Sequence, residues 1–487
     1  MSLQVERKGV KSLRGFRDYM PEEMLAREKI ISCIKRVYES YGFVPLATPA
    51  IESKEILRGS GGEDTDKQIY SFTDRDGCEV GLRFDLTVPL SRVIAQYTDL
   101  PMPFKRYQIQ PVWRFDKPDP GRFREFIQCD IDTVGTNEMI ADVEIILAMY
   151  DSLNALSLTD FRIRFSSRKI LNSLITCAGI PETKSLPIFK VIDKLEKQGL
   201  SAVKQELGSG RIDSSGAEIK GLNLNELQIS KIEDFLLLPQ RSRDESIASA
   251  TEFFKGVHNA EEGLRELKEI NKYLATFEIP HERVLVDLSI ARGLDYYTGP
   301  VYEAILLEAR EFGAVMAGGR YDELIGRFTG EKVPATGASI GIDRLLSAMM
   351  KCAPIKSRPS VADVLITVMI KENLAEYLKI AIQLRKEGIN TEVYLGKEEK
   401  IGKQLEYADK YSIPIALIIG TDELSNNQIT IKDLRLLKKQ DMDIKIKERK
   451  EWVKTRIGQK TIPTEKLIEE IKQLLRSEYS IPHNLLH

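Results

Sequence analysis

The residues best equipped for chemistry are arginines set beside carboxylates and tyrosines. Positions 291 to 303 read ARGLDYYTGPVYE, with Arg292 and the adjacent Tyr296 and Tyr297 close to Gly293 and Gly299. A strand built only to fill a core alternates apolar and polar residues. This stretch instead puts a cation and neighbouring aromatics beside bare backbone. An arginine's planar fork makes bidentate, permanently charged hydrogen bonds, which suit a phosphate or a carboxylate. Arg83, Arg106, Arg114 and Arg124 fall on the polar sides of alternating stretches, beside Asp85, Gln128, Asp130 and Asp132. Lined up on adjacent strands, that set predicts the floor of a polar pocket. No GxxxxGK[ST] occurs, so a nucleotide held here would be gripped by side chains on a sheet, without a phosphate-binding loop.

Other chemistries are disfavoured. The histidines, His258, His281, His483 and His487, stand outside any polar cluster, which argues against histidine-based nucleophilic catalysis and a histidine-rich metal site. The five cysteines include no CxxC, so a zinc ribbon is not expected, and their scatter fits a reducing compartment. Lys and Arg total 71 against 73 Asp and Glu, which excludes a blanket polycation but leaves room for a local basic patch. No apolar run approaches the ~18 residues of a membrane span. The N-terminus MSLQVERKGVKSLRGFRD lacks the apolar core of a secretion signal. A cytoplasmic protein without membrane contact is the expectation.

Several elements must position these side chains. A chain of 487 residues is long for one core and predicts two or three domains. Residues 22–41 have apolar residues at helical spacing. GFVPLATPAIES (42–53) reads as a short strand interrupted by prolines. Residues 82–88, 106–114 and 124–132 alternate with a period of two, the pattern of half-buried antiparallel strands. The last two are joined by FDKPDPGRF, rich in turn formers. Residues 138–157 predict a helix, about 165–275 a mainly helical insertion, and 284–318 a return to sheet. ATGASIGIDRLLSAMM (335–350) reads as a strand entering a helix. Beyond a boundary near 353–360, strands and helices alternate as in an α/β domain, and a helix is expected at 464–477.

Three stretches resemble the motifs of class II aminoacyl-tRNA synthetases. GFVPLATPAIES is similar to the first motif, a dimer-interface strand with a proline, here Pro49. Residues 106–132 resemble the second, two antiparallel strands and a loop. GASIGIDRLL resembles the third, a strand and helix carrying a nucleotide-binding arginine. RGLDYYTG (292–299) and GGRYDEL (318–324) are more specific and resemble the recognition signatures of the histidyl-tRNA synthetase family. The resemblance implies an α+β catalytic core with a mainly antiparallel sheet flanked by helices, over 1–355. It also implies an α/β anticodon-binding domain over 360–487.

The same resemblance implies roles. L-histidine would be activated with ATP and passed to tRNA-His by a homodimer. Arg114 would contact the α-phosphate, Arg344 the γ-phosphate, and Arg122 ATP or the acceptor end of the tRNA. Asp116 would contact the adenine where the family often has Glu. Arg292 would lie beside the α-phosphate and the amino-acid carboxylate, as the main catalytic cation with Arg114. Asp85, Thr87 and Gln128 would hold the α-amino group and carboxylate. Asp132, Tyr297 and Tyr321 would surround the imidazole. Glycines 318 and 319 would let backbone approach the ligand. Mg²⁺ would accompany the ATP phosphates, with protein ligands left unassigned. Residues 432–460, with eleven Lys or Arg against five Asp or Glu, would contact RNA backbone. A non-catalytic paralogue, acting as a regulatory subunit or RNA-binding module, is the alternative reading.

Overall fold

The computed structural model describes residues 11–58, 66–213, 216–291, 296–353, 355, 357–398, 400–436 and 458–476. The chain divides into two compact units. One comprises residues up to Asp18 together with Arg27–Ile355; the other comprises Tyr19–Ala26 and the chain from Lys356 onward.

The first unit has strands β1 (Val44–Pro45), β2 (Ile51–Ser53), β3 (Ser71–Thr73), β4 (Glu79–Leu82), β5 (Phe104–Trp113), β6 (Glu125–Val134) and β7 (Phe161–Ser167). It continues with β8 (Gly210–Ile212), β9 (Glu218–Lys220), β10 (Val284–Val286), β11 (Pro300–Leu306), β12 (Ala314–Arg320) and β13 (Ala335–Gly341). Eight of these form one sheet in the order β1-β5-β6-β13-β12-β11-β7-β10. Its inner pairings are antiparallel, and a parallel pair closes each edge. β2, β4 and β3 make a small side sheet.

The alternation of β5 and β6 sorts their side chains as expected, but both faces are buried. On one, Tyr38 of the helix Pro21–Ser40 packs its ring 6.4 Å from Tyr107. On the other, Arg106 and Gln108 are fully covered, and Asp130 and Asp132 nearly so. Half-buried strands whose polar side floors a pocket were the expectation; the structure covers much of that side with the Tyr296–Tyr297 and Tyr321 region, leaving it buried. Buried polar groups must find partners, so these strands carry an ordered polar layer.

The stretch 82–88 also departs from expectation. β4 ends at Leu82, and a helix begins at Thr87 and runs to Gln96. Arg83 to Leu86 is a turn between them, and the Asp85 carboxylate accepts the Val88 N–H at 3.0 Å, tying down the first helical turn. The first motif's stretch is two short strands, β1 and β2, with Pro49 between them.

β7 reaches Ser167, and the helical region starts at Arg168 with the Ser167 hydroxyl accepting from Lys169 N–H. Five further helices, Ser185–Ile192, Leu195–Leu207, Glu226–Leu236, Arg243–Phe253 and His258–Thr276, follow, with the hairpin β8–β9 among them. Asn225 and Gln228 form a capping box, and Ser242 caps the helix after it.

The second unit is a five-stranded mixed sheet. Strands β14 (Val364–Ile366), β15 (Thr391–Val393), β16 (Ile415–Ile418), β17 (Gln428–Asp433) and β18 (Gln459–Pro463) lie in the order β15-β14-β16-β17-β18. Val364, Ile366 and Leu417 pack with the helices Leu374–Lys386 and Leu467–Arg476. Leu365 and Ala416 pack on the other face with Leu405 and Ala408 of the helix Ile401–Lys410. Burial on both faces explains why these strands read as continuous apolar runs. β18 was not foreseen in the sequence. Most of the basic stretch 432–460, namely 437–457, lies outside the described residues.

Candidate active site

The site forms where β5 and β13 end and β6 begins. Arg114 immediately follows β5. Its Nε donates to the Phe84 carbonyl at 2.8 Å, and its guanidinium lies 5.3 Å from the Phe126 ring centre. β13 leads into the helix Ile342–Cys352, which carries Arg344 in its first turn. Asp343 anchors that turn: it accepts the Ile127 N–H at 2.8 Å and pairs with Arg27 at 2.8 Å. Arg344 donates to the Ala314 carbonyl at 3.0 Å. Between them lies a cavity of about 230 Å³ whose walls include Arg114, Arg122, Phe126, Gln128, Tyr297 and Arg344. A second cavity of about 500 Å³ shares Arg122, Tyr297 and Arg344 and reaches Lys194 and Lys197.

The structure therefore brings Arg114, Asp116, Arg122, Gln128, Tyr297 and Arg344 together around one cleft. Asp85, Asp132 and Tyr321 are buried behind it, and Thr87 opens the helix beside Asp85. Asp132 accepts from the Tyr321 hydroxyl and pairs with Arg106 at 2.8 Å. Burial raises the Asp85 carboxyl pKa, opposed by the Val88 N–H and Arg114. Burial likewise raises Asp132, opposed by Arg106 and the Tyr321 hydroxyl. Burial also pushes the Tyr297 phenol upward, so it stays a neutral donor. Arg292 and Asp295 lie outside the described residues.

The four strand arginines do not act as a set. Arg83 donates to the carbonyls of Thr48, Pro49 and Pro111 and to Gln110, stitching loops together. Arg124 donates to the Asp116 carbonyl and stacks 4.0 Å from the Phe115 ring centre. Arg106 serves the buried polar layer, and Arg114 alone of the four lines the 230 Å³ cavity. Shared strand parity did not place them in one pocket because β5 ends at Trp113 and Arg83 lies in a turn.

The signature glycines make room for side chains. A Cβ on Gly319 would come 2.9 Å from the Tyr297 ring and 2.7 Å from the Pro300 carbonyl. One on Gly318 would come 2.7 Å from both Tyr302 and the Ala338 Cα. Close strand packing, with no ligand involved, already requires glycine at both. Gly337 is the counterpart on β13: it pairs with Asp132 across the strands, and a Cβ there would overlap the Asp132 carboxylate.

Arg320 fixes the two signatures to each other. Its guanidinium donates to Asp142 of the helix Met139–Ala155 and to the Thr136 carbonyl. Its own carbonyl accepts the Thr298 N–H at 2.8 Å.

Sequence reasoning left Tyr296, Phe126 and Ser339 without roles, yet all three line the cavity. Tyr296 stands edge-on to Tyr297 at 4.8 Å and to Tyr321 at 6.1 Å. Phe126 had a legible signal, being an aromatic at an even position of β6 among polar neighbours.

A family model described as histidyl-tRNA synthetase matches residues 15–345, and one described as anticodon binding domain matches residues 363–474. A histidine–tRNA ligase of Dinoroseobacter shibae is 38% identical, covering 95% of this chain and 96% of that protein. One from Rhodopirellula baltica is 39% identical over 89% and 95%. The crystal structure of histidyl-tRNA synthetase from Nostoc sp. PCC 7120 superposes with a TM-score of 0.78 at 33% identity, covering 96% of this chain and 99% of that one. A Bacillus halodurans structure named as an ATP phosphoribosyltransferase regulatory subunit/histidyl-tRNA synthetase shares the fold, at a TM-score of 0.67 and 22% identity. With the family model spanning residues 15–345 and relatives 38–39% identical over nearly their full length, the chain belongs to the histidyl-tRNA synthetase family.

Proposed function

We propose that this cleft activates L-histidine with ATP and that the enzyme passes the histidyl group to tRNA-His, as a histidine–tRNA ligase. In the first step a histidine carboxylate oxygen bonds to the α-phosphorus of ATP and pyrophosphate leaves. In the second, a hydroxyl of the terminal ribose attacks the adenylate carbonyl and AMP leaves. Neither step needs a protein nucleophile. The chain contributes position and charge.

The carrying observation is Arg114 and Arg344 facing one cleft, each held by a backbone carbonyl, with Asp132 buried behind. Arg114 then meets the α-phosphate, where charge grows, and Arg344 the γ-phosphate. Arg122 extends the cation row toward the phosphates or the acceptor end. Asp116 takes the adenine edge and Phe126 offers its face. Asp85, Thr87 and Gln128 hold the α-amino group and carboxylate. Asp132 accepts an imidazole N–H, while Tyr297 and Tyr321 complete the ring's surroundings. Arg292 belongs with the carboxylate and α-phosphate.

Mg²⁺ neutralises the polyphosphate, and no cluster of three or more His, Cys, Asp or Glu that could hold a metal ion occurs among the described residues. That fits an ion carried in by ATP more than one caged by protein. Residues 1–355 act as the catalytic domain with its helical insertion, and 360–487 as the anticodon-binding domain. The active form is a homodimer in the cytoplasm; no helix among the described residues is long and apolar enough to cross a membrane. Nothing observed favours the regulatory-paralogue reading.

ATP–pyrophosphate exchange with each of the twenty amino acids is the test. Exchange should depend on histidine. A folded protein with Mg²⁺ that shows none is not this ligase.

A further inference from the structure

β6 presents Gln128, Asp130 and Asp132 on one face, and the functional reading uses the outer two. Asp130 is left over. It is 2% exposed, one of its oxygens has no hydrogen-bond partner, and the other is served by Ser339 across the strands. Arg106 and Gln108 face it from β5, Asp132 and Gln128 flank it on β6, and Asp85 approaches from the turn before Thr87. The neutral Tyr297, Cys129 and Tyr38 complete the surroundings.

The charges in this layer do not balance. Asp85, Asp130 and Asp132 are all buried, with Arg106 the buried cation among them. Arg106 makes its close contact with Asp132, at 2.8 Å. Asp85 has the Val88 N–H at 3.0 Å and Arg114 near it. Asp130 has neither an ion pair nor a second donor. Buried carboxylates two apart on one strand face, with one close cation, disfavour both being ionised. The one with fewer partners takes a proton, and burial, partly offset by Arg106, indeed lifts Asp130 to about 7.

We propose that Asp130 is a positioning residue for histidine: one proton is shared between its carboxyl and the imidazole of the bound amino acid. With Asp130 neutral, Asp132 stays ionised on Arg106 and accepts an N–H from a neutral ring. Where Asp130 would ionise, the ring enters carrying the proton, because the layer then has a vacant negative charge. Either way the complex holds one proton across the two groups, and the titration belongs to the pair. This inference rests on histidine being the substrate and deepens that reading into a rule about ring charge.

Calorimetric titration of histidine into the full-length enzyme, in phosphate and in Tris, counts the protons. At pH 8 a free imidazole, with an ordinary pKa of roughly 6.5, is neutral, and the free Asp130 is mostly ionised. Binding should therefore take up about one proton at pH 8 and release about two-thirds of one at pH 6. Asp130→Asn keeps the shape and a hydrogen bond to Ser339, and should lose the uptake at pH 8. An unchanged uptake in Asp130→Asn, or no uptake by the wild type at pH 8, overturns the proposal. Should the variant not fold, the wild-type reversal between pH 6 and pH 8 decides alone. Failure of the functional reading is separate: the wild type would then give no heat with histidine at all.

Discussion

Replacing Arg114 by lysine keeps the charge and removes the fork. In the structure Nε is committed to the Phe84 carbonyl at 2.8 Å, which leaves the two terminal nitrogens for the cleft. The Phe126 ring beneath restrains the guanidinium plane. A lysine ammonium cannot hold the Phe84 carbonyl and span two phosphate oxygens together. One preorganised donor at a site of growing charge accounts for about 2.7–4 kcal/mol, or ~10²–10³ in rate. The anchor to Phe84 accounts for a further ~1.5–3 kcal/mol of orientation, not additive with the first. We expect kcat for histidine-dependent exchange to fall by about 10²–10³, with the KM for ATP within a few-fold. Arg114 is half-buried, so urea unfolding should shift by less than ~2 kcal/mol. Exchange at saturating histidine and ATP reads the effect. A kcat within about threefold of wild type, in a protein of unchanged stability, would refute the role of the fork.

Gly337→Ala drives a methyl into the Asp132 carboxylate. We expect the KM for histidine to rise by about tenfold or more, for ~1.4 kcal/mol or more of lost contact, while the KM for ATP holds within about twofold; equal change in both would refute a histidine-side role for this strand contact. Asp130 also predicts a pH dependence of stability. Its folded pKa is raised from 3.8 to about 7, so the folded state binds more protons than the unfolded state between those values, and stability falls as pH rises through that window. The upper bound is about 4 kcal/mol at ~1.36 kcal/mol per unit. Thermal melts should show Asp130→Asn gaining on wild type from pH 4 to pH 7 and level above; a pH-independent difference would count against a buried, protonated Asp130.

Some of this was legible in the residues alone. The period of two in β5 and β6, the strand-to-helix run at β13, and the apolar runs of β14 and β16 announce their elements because each pattern is local. RGLDYYTG and GGRYDEL announce the family. Phe126 and Asp130 could have been singled out, since both occupy even positions of β6. What lies over a face is another matter. Arg83 and Arg106 share a strand-like parity with their neighbours, yet one stitches loops and the other neutralises Asp132. The run 82–88 satisfies the strand pattern, yet it is a strand end, a turn and a helix start, with the Asp85 carboxylate taking the Val88 N–H of the first helical turn. Gly318 and Gly319 read as room for a ligand, and the structure adds a second reason for glycine there, the close approach of Tyr302, Tyr297 and neighbouring backbone. The sequence by itself determined which residues of β5 and β6 share a face, most of the elements and which family they serve. Only the tertiary structure decided which polar face is sealed from water and which arginine reaches the cleft. Those outcomes depend on contacts between segments far apart in the chain, where local periodicity carries no information.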